Sequence, residues 1–308
     1  YLESRENLIL MEVNLQYRKL FFFLLTTSLT SLGQDVSDGL QARGIMELVD
    51  NQQLAINDSS FMKLKLSSCT FGIQNKKISC TERPRIKVLE SISKNYGKSN
   101  RDNKTVTFTL QPLSERGIGM LSFSYDDKGK DNQTWLYLSA LGKVKRIAGG
   151  NEETSEPASL FGSEFTTEDT DTGKLSEYTF RILSETKIND RLVWQIESTP
   201  NKSRKARTRY ARTVSYVDKT RYVILRSEMY DKYGNEIKRL IGSRVEQVNN
   251  VWLTRSMTMM NLVTNRLSNM AFLNINNGII VSEYFFTKRS LEDAAFREAH
   301  LTNIRDQI

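Results

Sequence analysis

Glu168 and Asp169 stand side by side in an acidic stretch that also holds Asp171. Two adjacent carboxyl groups are material for acid/base chemistry on a lipid or a glycan. That chemistry needs a second element to position them, and none is legible in the sequence. The only histidine, His300, lies in a polar, helix-like stretch near the C-terminal end. A solvated ring is expected there rather than a catalytic base. One His and two Cys leave no His/Cys ligand set for zinc and no basis for a Ser-His-Asp arrangement. Asp126, Asp127 and Asp131 surround Gly129, but they lack the full spacing of a calcium loop and read as a solvated turn. No catalytic residue, metal or cofactor is therefore expected.

Residues 11–35 run from Met11 through Arg18-Lys19 and the apolar Leu20–Leu25 to Ser31-Leu32-Gly33. A basic region, an apolar core and small residues at a cleavage point are the order of a secretory signal. The apolar core is too short to span a membrane, which takes about 20 residues. The expectation is a signal peptide over 1–33 with its start at Met11, and one exported domain over 34–308. In an oxidising compartment the two cysteines, Cys69 and Cys80, are expected to form a disulfide that clips an extended hairpin. The net charge is +8. No nucleic-acid-binding signature accompanies it. The densest basic run, Arg204-Lys205-Ala206-Arg207-Thr208-Arg209, reads as a hairpin loop that is solvated or meets anionic head groups.

The elements that would position a site are mostly strands. A helix is expected over 35–52, with Leu40, Ile45, Met46 and Val49 near one face. From Ser60 the period becomes two, with Met62, Leu64 and Leu66 on one side and Lys63 and Lys65 on the other. Strands are expected again at 85–92, 105–110 and 120–125. Trp135-Leu136-Tyr137-Leu138 and Lys143–Ile147 form a hairpin, with Gly142 in its turn. Five more strands follow from 178 to 248, separated by Asn189-Asp190, Pro200-Asn201, Asp218-Lys219 and Lys232–Asn235, then strands at 251–263 and 270–275. Residues 291–299 form a short helix. About eleven strands joined by tight turns describe one antiparallel meander, and a large sheet of this kind curls.

The central order has a further meaning. The hairpin at 135–147, a loop, and then Phe161-Gly162-Ser163-Glu164-Phe165-Thr166-Thr167-Glu168-Asp169 resembles the outer-membrane lipoprotein-sorting proteins, periplasmic relatives of the carriers LolA and LolB. That family shows Gly-Ser-Asp-Phe-x-Tyr-Glu-Asp where this chain has Gly162–Asp169. Gly117–Phe123 and Tyr125–Asp131 also look like the family, and the resemblance runs from about Leu40 to about Lys288. It implies a mainly β chain with a few helices, curled as a single antiparallel sheet into a LolA-like half-open β-barrel with a helical lid. It implies no enzyme, but a periplasmic carrier or chaperone for a lipid or a lipid-modified protein, handing its cargo on with an RND-type exporter and touching the membrane peripherally.

On that reading the hydrophobic cavity is lined by Trp135, Tyr137, Met257 and Met259. Phe161 and Phe165 form a lid around Gly162, Ser163, Glu164, Glu168 and Asp169. Strand side chains alternate, so Trp135 pairs with Tyr137 and Met257 with Met259. Methionine suits a pocket for variable acyl chains. Two other readings are carried alongside: a non-carrying adaptor subunit of an envelope complex, with a solid core, and an enzyme using Glu168 and Asp169.

Overall fold

Alternating apolar residues put much of the described chain into strands of one sheet. The computed structural model describes residues 38–75, 77–127, 129–139, 141–148, 157–170 and 174–308. The expected signal segment and its cleavage point lie outside the described residues. Helix α1 spans 38–57. It buries Ala42, Ile45 and Val49, while Leu40 points to solvent.

The first strands are β1 (Ser60–Gln74), β2 (Lys77–Cys80), β3 (Arg85–Tyr96), β4 (Asp102–Gln111), β5 (Gly119–Ser124), β6 (Gln133–Leu138) and β7 (Lys143–Ala148). After the one-turn helix α2 (Thr167–Thr170) come β8 (Tyr178–Ile188), β9 (Arg191–Pro200), the short α3 (Lys202–Lys205), β10 (Arg212–Asp218) and β11 (Ile224–Tyr230). Then β12 (Glu236–Val248), β13 (Val251–Asn261) and β14 (Arg266–Asn277) lead to α4 (Lys288–Glu292) and α5 (Ala294–Arg305).

Among the described residues, fourteen strands form one antiparallel sheet in the order β7-β6-β5-β4-β3-β1-β14-β13-β12-β11-β10-β9-β8, with β2 attached to β1. The first strand therefore lies mid-sheet beside the last. The described residues are mainly β with few helices, but they do not make the expected half-open barrel. The sheet is open, and its hydrogen-bonded path ends at β7 on one side and β8 on the other. Closure requires edges that can pair. Here β7 carries exposed Lys143, Lys145 and Arg146, and β8 carries exposed Arg181, Glu185 and Lys187. Charged edges of this kind discourage strand addition.

Register propagates one side chain's orientation across the sheet. Leu136, Met120, Thr107, Ser91, Met62 and Leu64 share a face. That face continues through Phe272, Met270, Met257, Met259, Leu240, Met229 and Ile196. On it α1 packs against Phe180, Ile196 and Val217, and Leu160 and Phe165 pack on Leu64, Leu66, Leu89, Met229 and Met259. The other face carries Phe61, Ile92, Val106, Phe108 and Leu121, covered by Phe285, Phe286, Leu291, Leu301 and Ile304 of the C-terminal segment. Apolar burial thus lies on both faces rather than within a single concave side.

The β9–β10–β11 region has a buried electrostatic anchor. The Asp218 carboxylate is fully buried and accepts hydrogen bonds from Arg191, from Thr220 N–H and hydroxyl at 2.9 Å, and from Arg221 N–H at 3.0 Å. Burial alone would raise its pKa. The Arg191 bond and those from Thr220 and Arg221 outweigh it and hold the group at about 2, below the ordinary 3.8. A carboxylate depressed in the folded state contributes stability above its unfolded pKa and loses it as pH falls through the folded one. Stability is therefore expected to fall between about pH 4 and pH 2. Asp218→Asn should flatten that part of an acid-unfolding profile; an unchanged acid limb would discount the anchor.

Candidate functional site: the 157–170 segment on the sheet

The segment folds on itself before it docks. Phe161 and Gly162 both take left-handed φ, 52° and 70°. They form a tight turn closed by Ser163 N–H on the Leu160 carbonyl at 3.0 Å, and Leu160 N–H reaches the Phe165 carbonyl at 2.8 Å. Glycine takes this conformation freely, whereas Phe161 pays a steric penalty of about 1–2 kcal/mol. The Ser163 hydroxyl is buried and donates to the Leu160 carbonyl at 2.7 Å. It accepts from Phe165 N–H at 3.2 Å. The lid expected to be helical is mostly this turn, with a single helical turn, α2, at its end.

Each acid of the motif meets a base on the sheet or on the 204–210 loop. Glu164 binds Arg266 Nε at 2.8 Å and Asn261 Nδ2 at 3.0 Å, while its N–H donates to the Ser268 hydroxyl at 2.9 Å. Glu168 accepts from Thr208, from Arg209 N–H at 2.8 Å and from Arg209 Nε at 3.2 Å. Asp169 and Lys238 form the innermost pair, 2.6 Å apart, with side chains 3% and 5% exposed. Lys238 Nζ also donates to the Glu164 carbonyl at 2.9 Å. Asp169 accepts from Thr166 N–H at 2.7 Å and from the Tyr210 hydroxyl at 2.7 Å. Burial, then the nearby Asp169 and Glu168 carboxylates, push the Tyr210 pKa far up. The phenol stays neutral and keeps its proton for that bond. Glu168 and Asp169 thus act as fasteners.

Beneath the segment, Met259 is almost wholly buried and Met257 partly so. Phe165 is buried and Phe161 lies at the rim of the same cluster. Four of the expected cavity residues therefore meet. Trp135 and Tyr137 do not join them. They lie across from Leu121 and Gly119 on the opposite face and pack against the C-terminal cluster. Trp135 contacts Phe123 edge-on at 5.2 Å, with Lys288 Nζ 5.3 Å from its ring. Toward β3–β6 the segment's face becomes polar. Ser91 bonds Thr107 at 2.9 Å, Ser93 bonds Thr105 at 2.9 Å, and Ser122 bonds Thr134 at 3.2 Å.

The remaining candidates find local roles. His300 is half-buried rather than solvated, stacked on Phe285 with ring centroids 5.4 Å apart. Asp127 caps its turn by accepting from Gly129 N–H at 2.9 Å, and Asp131 pairs with Arg207. In the basic run, Arg204 is buried and donates to the Tyr178 hydroxyl, Arg207 also pairs with Glu177, and Arg209 holds Glu168. These guanidiniums are turned to internal partners. A disulfide joins Cys69 and Cys80. Sequence reasoning missed Lys238 and Tyr210. Lys238 left a signal: it shares the parity of the inward Leu240 in β12, which places a lysine on a buried row.

The model of an "Uncharacterized protein"-like family matches residues 101–293. A DUF1329 family protein from Desulfovibrio piger is 23% identical, with a TM-score of 0.71 over 82% of this chain and 99% of that one. A putative outer membrane lipoprotein-sorting protein domain from Vibrio parahaemolyticus is 24% identical, with a TM-score of 0.66 over 82% and 99%. A LolA superfamily protein from Nitrosomonas europaea is 14% identical, with a TM-score of 0.55 over 79% and 97%. At these identities the likeness is one of fold, and it lies with the lipoprotein-sorting and LolA-like proteins that the Gly162–Asp169 segment resembles, although the half-open barrel is not made. No curated protein matches the chain.

Proposed function

Since the chain belongs to the family matched over residues 101–293 and shares the lipoprotein-sorting fold, we propose that it is a periplasmic carrier or chaperone of that type. Its cargo is a lipid or a lipid-modified protein, held between the 157–170 segment and the sheet. The observation that carries this reading is the docking of the segment. Leu160 and Phe165 cover an apolar patch of Leu64, Leu66, Leu89, Met229 and Met259, and ion pairs hold the segment in place. Such a cover is displaced by a ligand that offers the patch equal apolar contact. An acyl chain does so at about 0.8 kcal/mol per buried methylene. Met257 and Met259 adapt to chains of different shape. Phe161 and Phe165 move with the segment about Gly162. Transfer needs no nucleophile or metal. An RND-type exporter is the handoff partner we assign by resemblance.

A second reading, an adaptor subunit of an envelope complex, draws on the near-complete burial of Met259, as in a core that never opens. Organic extraction and native mass spectrometry of exported protein, with a fluorescent fatty-acid probe, separate the two. The carrier co-purifies with lipid or binds the probe, and Met259→Trp weakens that binding. Neither lipid nor probe on the wild-type protein would overturn the carrier reading.

A further inference from the structure

The β1–β2 hairpin leaves the sheet. β1 stops pairing with β3 at Ser68 and with β14 at Thr70, and from Phe71 to Gln74 its ladder partner is β2. β2 in turn pairs with β1 alone. A free two-stranded hairpin is marginally stable in water. The Cys69–Cys80 disulfide closes this one at its root. Side chains alternate along it. Cys69, Phe71 and Ile73 share a face with Cys80 and Ile78. Phe71 is buried near the root, but the tip is not covered. Ile73 is 71% exposed and Ile78, directly across from it, 45% exposed. Lys77, next to Ile78, is exposed, and so are Arg83 and Arg85 beyond the disulfide at the hairpin's base, where Arg85 stands across from Ser68. The one acid between 70 and 86, Glu82, accepts from Thr70 N–H at 3.1 Å and from its hydroxyl at 3.0 Å.

We propose that this hairpin tip is a membrane-surface anchor, with Ile73 and Ile78 entering the interface of an anionic phospholipid bilayer. Lys77 meets the phosphates beside them, and Arg83 and Arg85 face the head groups from the base of the hairpin. An apolar tip with a cation beside it and two more at its base is a pattern that partitions at a lipid surface, where apolar burial and attraction to anionic lipids add. Charge complementarity selects the lipid surface over a second copy of this basic hairpin. The anchor does not depend on what lies beneath the 157–170 segment.

The test is co-sedimentation of the disulfide-intact protein with vesicles of phosphatidylglycerol and phosphatidylethanolamine, against vesicles of phosphatidylcholine. The wild-type protein should bind the anionic vesicles, and more weakly as salt is raised. Ile73→Ser with Ile78→Ser should weaken binding at least about tenfold, and Lys77→Glu with Arg83→Glu should remove the preference for anionic lipid. All four side chains are exposed, so the thermal midpoint should not move. No anionic preference in the wild-type protein, or undiminished binding by the isoleucine variant, would overturn the anchor. So would a dimer in solution that the isoleucine variant dissolves without any loss of vesicle binding.

Discussion

Lys238→Ala is expected to lower stability by about 3–5 kcal/mol, the cost of leaving one member of a buried ion pair alone. Asp169 would keep its bonds from Thr166 and Tyr210, but its charge would have lost the ammonium 2.6 Å away. The loss has a ceiling. If the 157–170 segment undocks by itself, Asp169 reaches water and the cost cannot exceed the docking free energy. Denaturant unfolding measures the first quantity, and hydrogen exchange of the 157–170 amides measures the second. Carrier behaviour adds a second readout, since a loosened segment should admit a fatty-acid probe faster. A loss below about 1 kcal/mol with unchanged exchange would remove Lys238 as a fastener.

Phe165→Ala is expected to cost about 3–5 kcal/mol when measured alone, as large-to-small changes in a packed aromatic site do. Phe165 belongs to the same docked segment, so its loss meets the same ceiling. Two independent core sites would add. Two fasteners of one cover should not: once either is gone the segment is largely undocked, and the double variant should lie close to the worse single one. Full additivity of Lys238→Ala and Phe165→Ala in the same denaturation experiment would mean that the segment is a permanent part of the core. That result would favour the adaptor reading.

Much of the sheet was legible because its signals are local. The alternation of Met62, Leu64 and Leu66 with Lys63 and Lys65 marked β1, and Asn189-Asp190 and Lys232–Asn235 marked turns where structure places them. Several expected strands were too short, since β1 runs on to Gln74, β3 runs on to Tyr96 and β14 spans Arg266–Asn277. Ladder bonds carry a strand through residues whose side chains are polar, and hydropathy does not register them. The curled sheet was an inference from strand count, and the half-open barrel was added by the resemblance. Strand count does not say whether two edges will meet.

The sequence by itself determined which residues share a face within a strand, because the period of two is built into the backbone. It paired Trp135 with Tyr137 and Met257 with Met259 on that ground, and it marked Gly142 as a turn. Only the tertiary structure decided that these two pairs lie on opposite faces. That relation passes through the register of every strand between β6 and β13, and a one-residue slip at any step inverts it. The same holds for the acidic motif. Glu164, Glu168 and Asp169 could be read as acids, but their partners Arg266, Arg209 and Lys238 stand 102, 41 and 69 residues away. A charge acquires its role from the nearest counter-charge in space, and folding alone brings that neighbour to it.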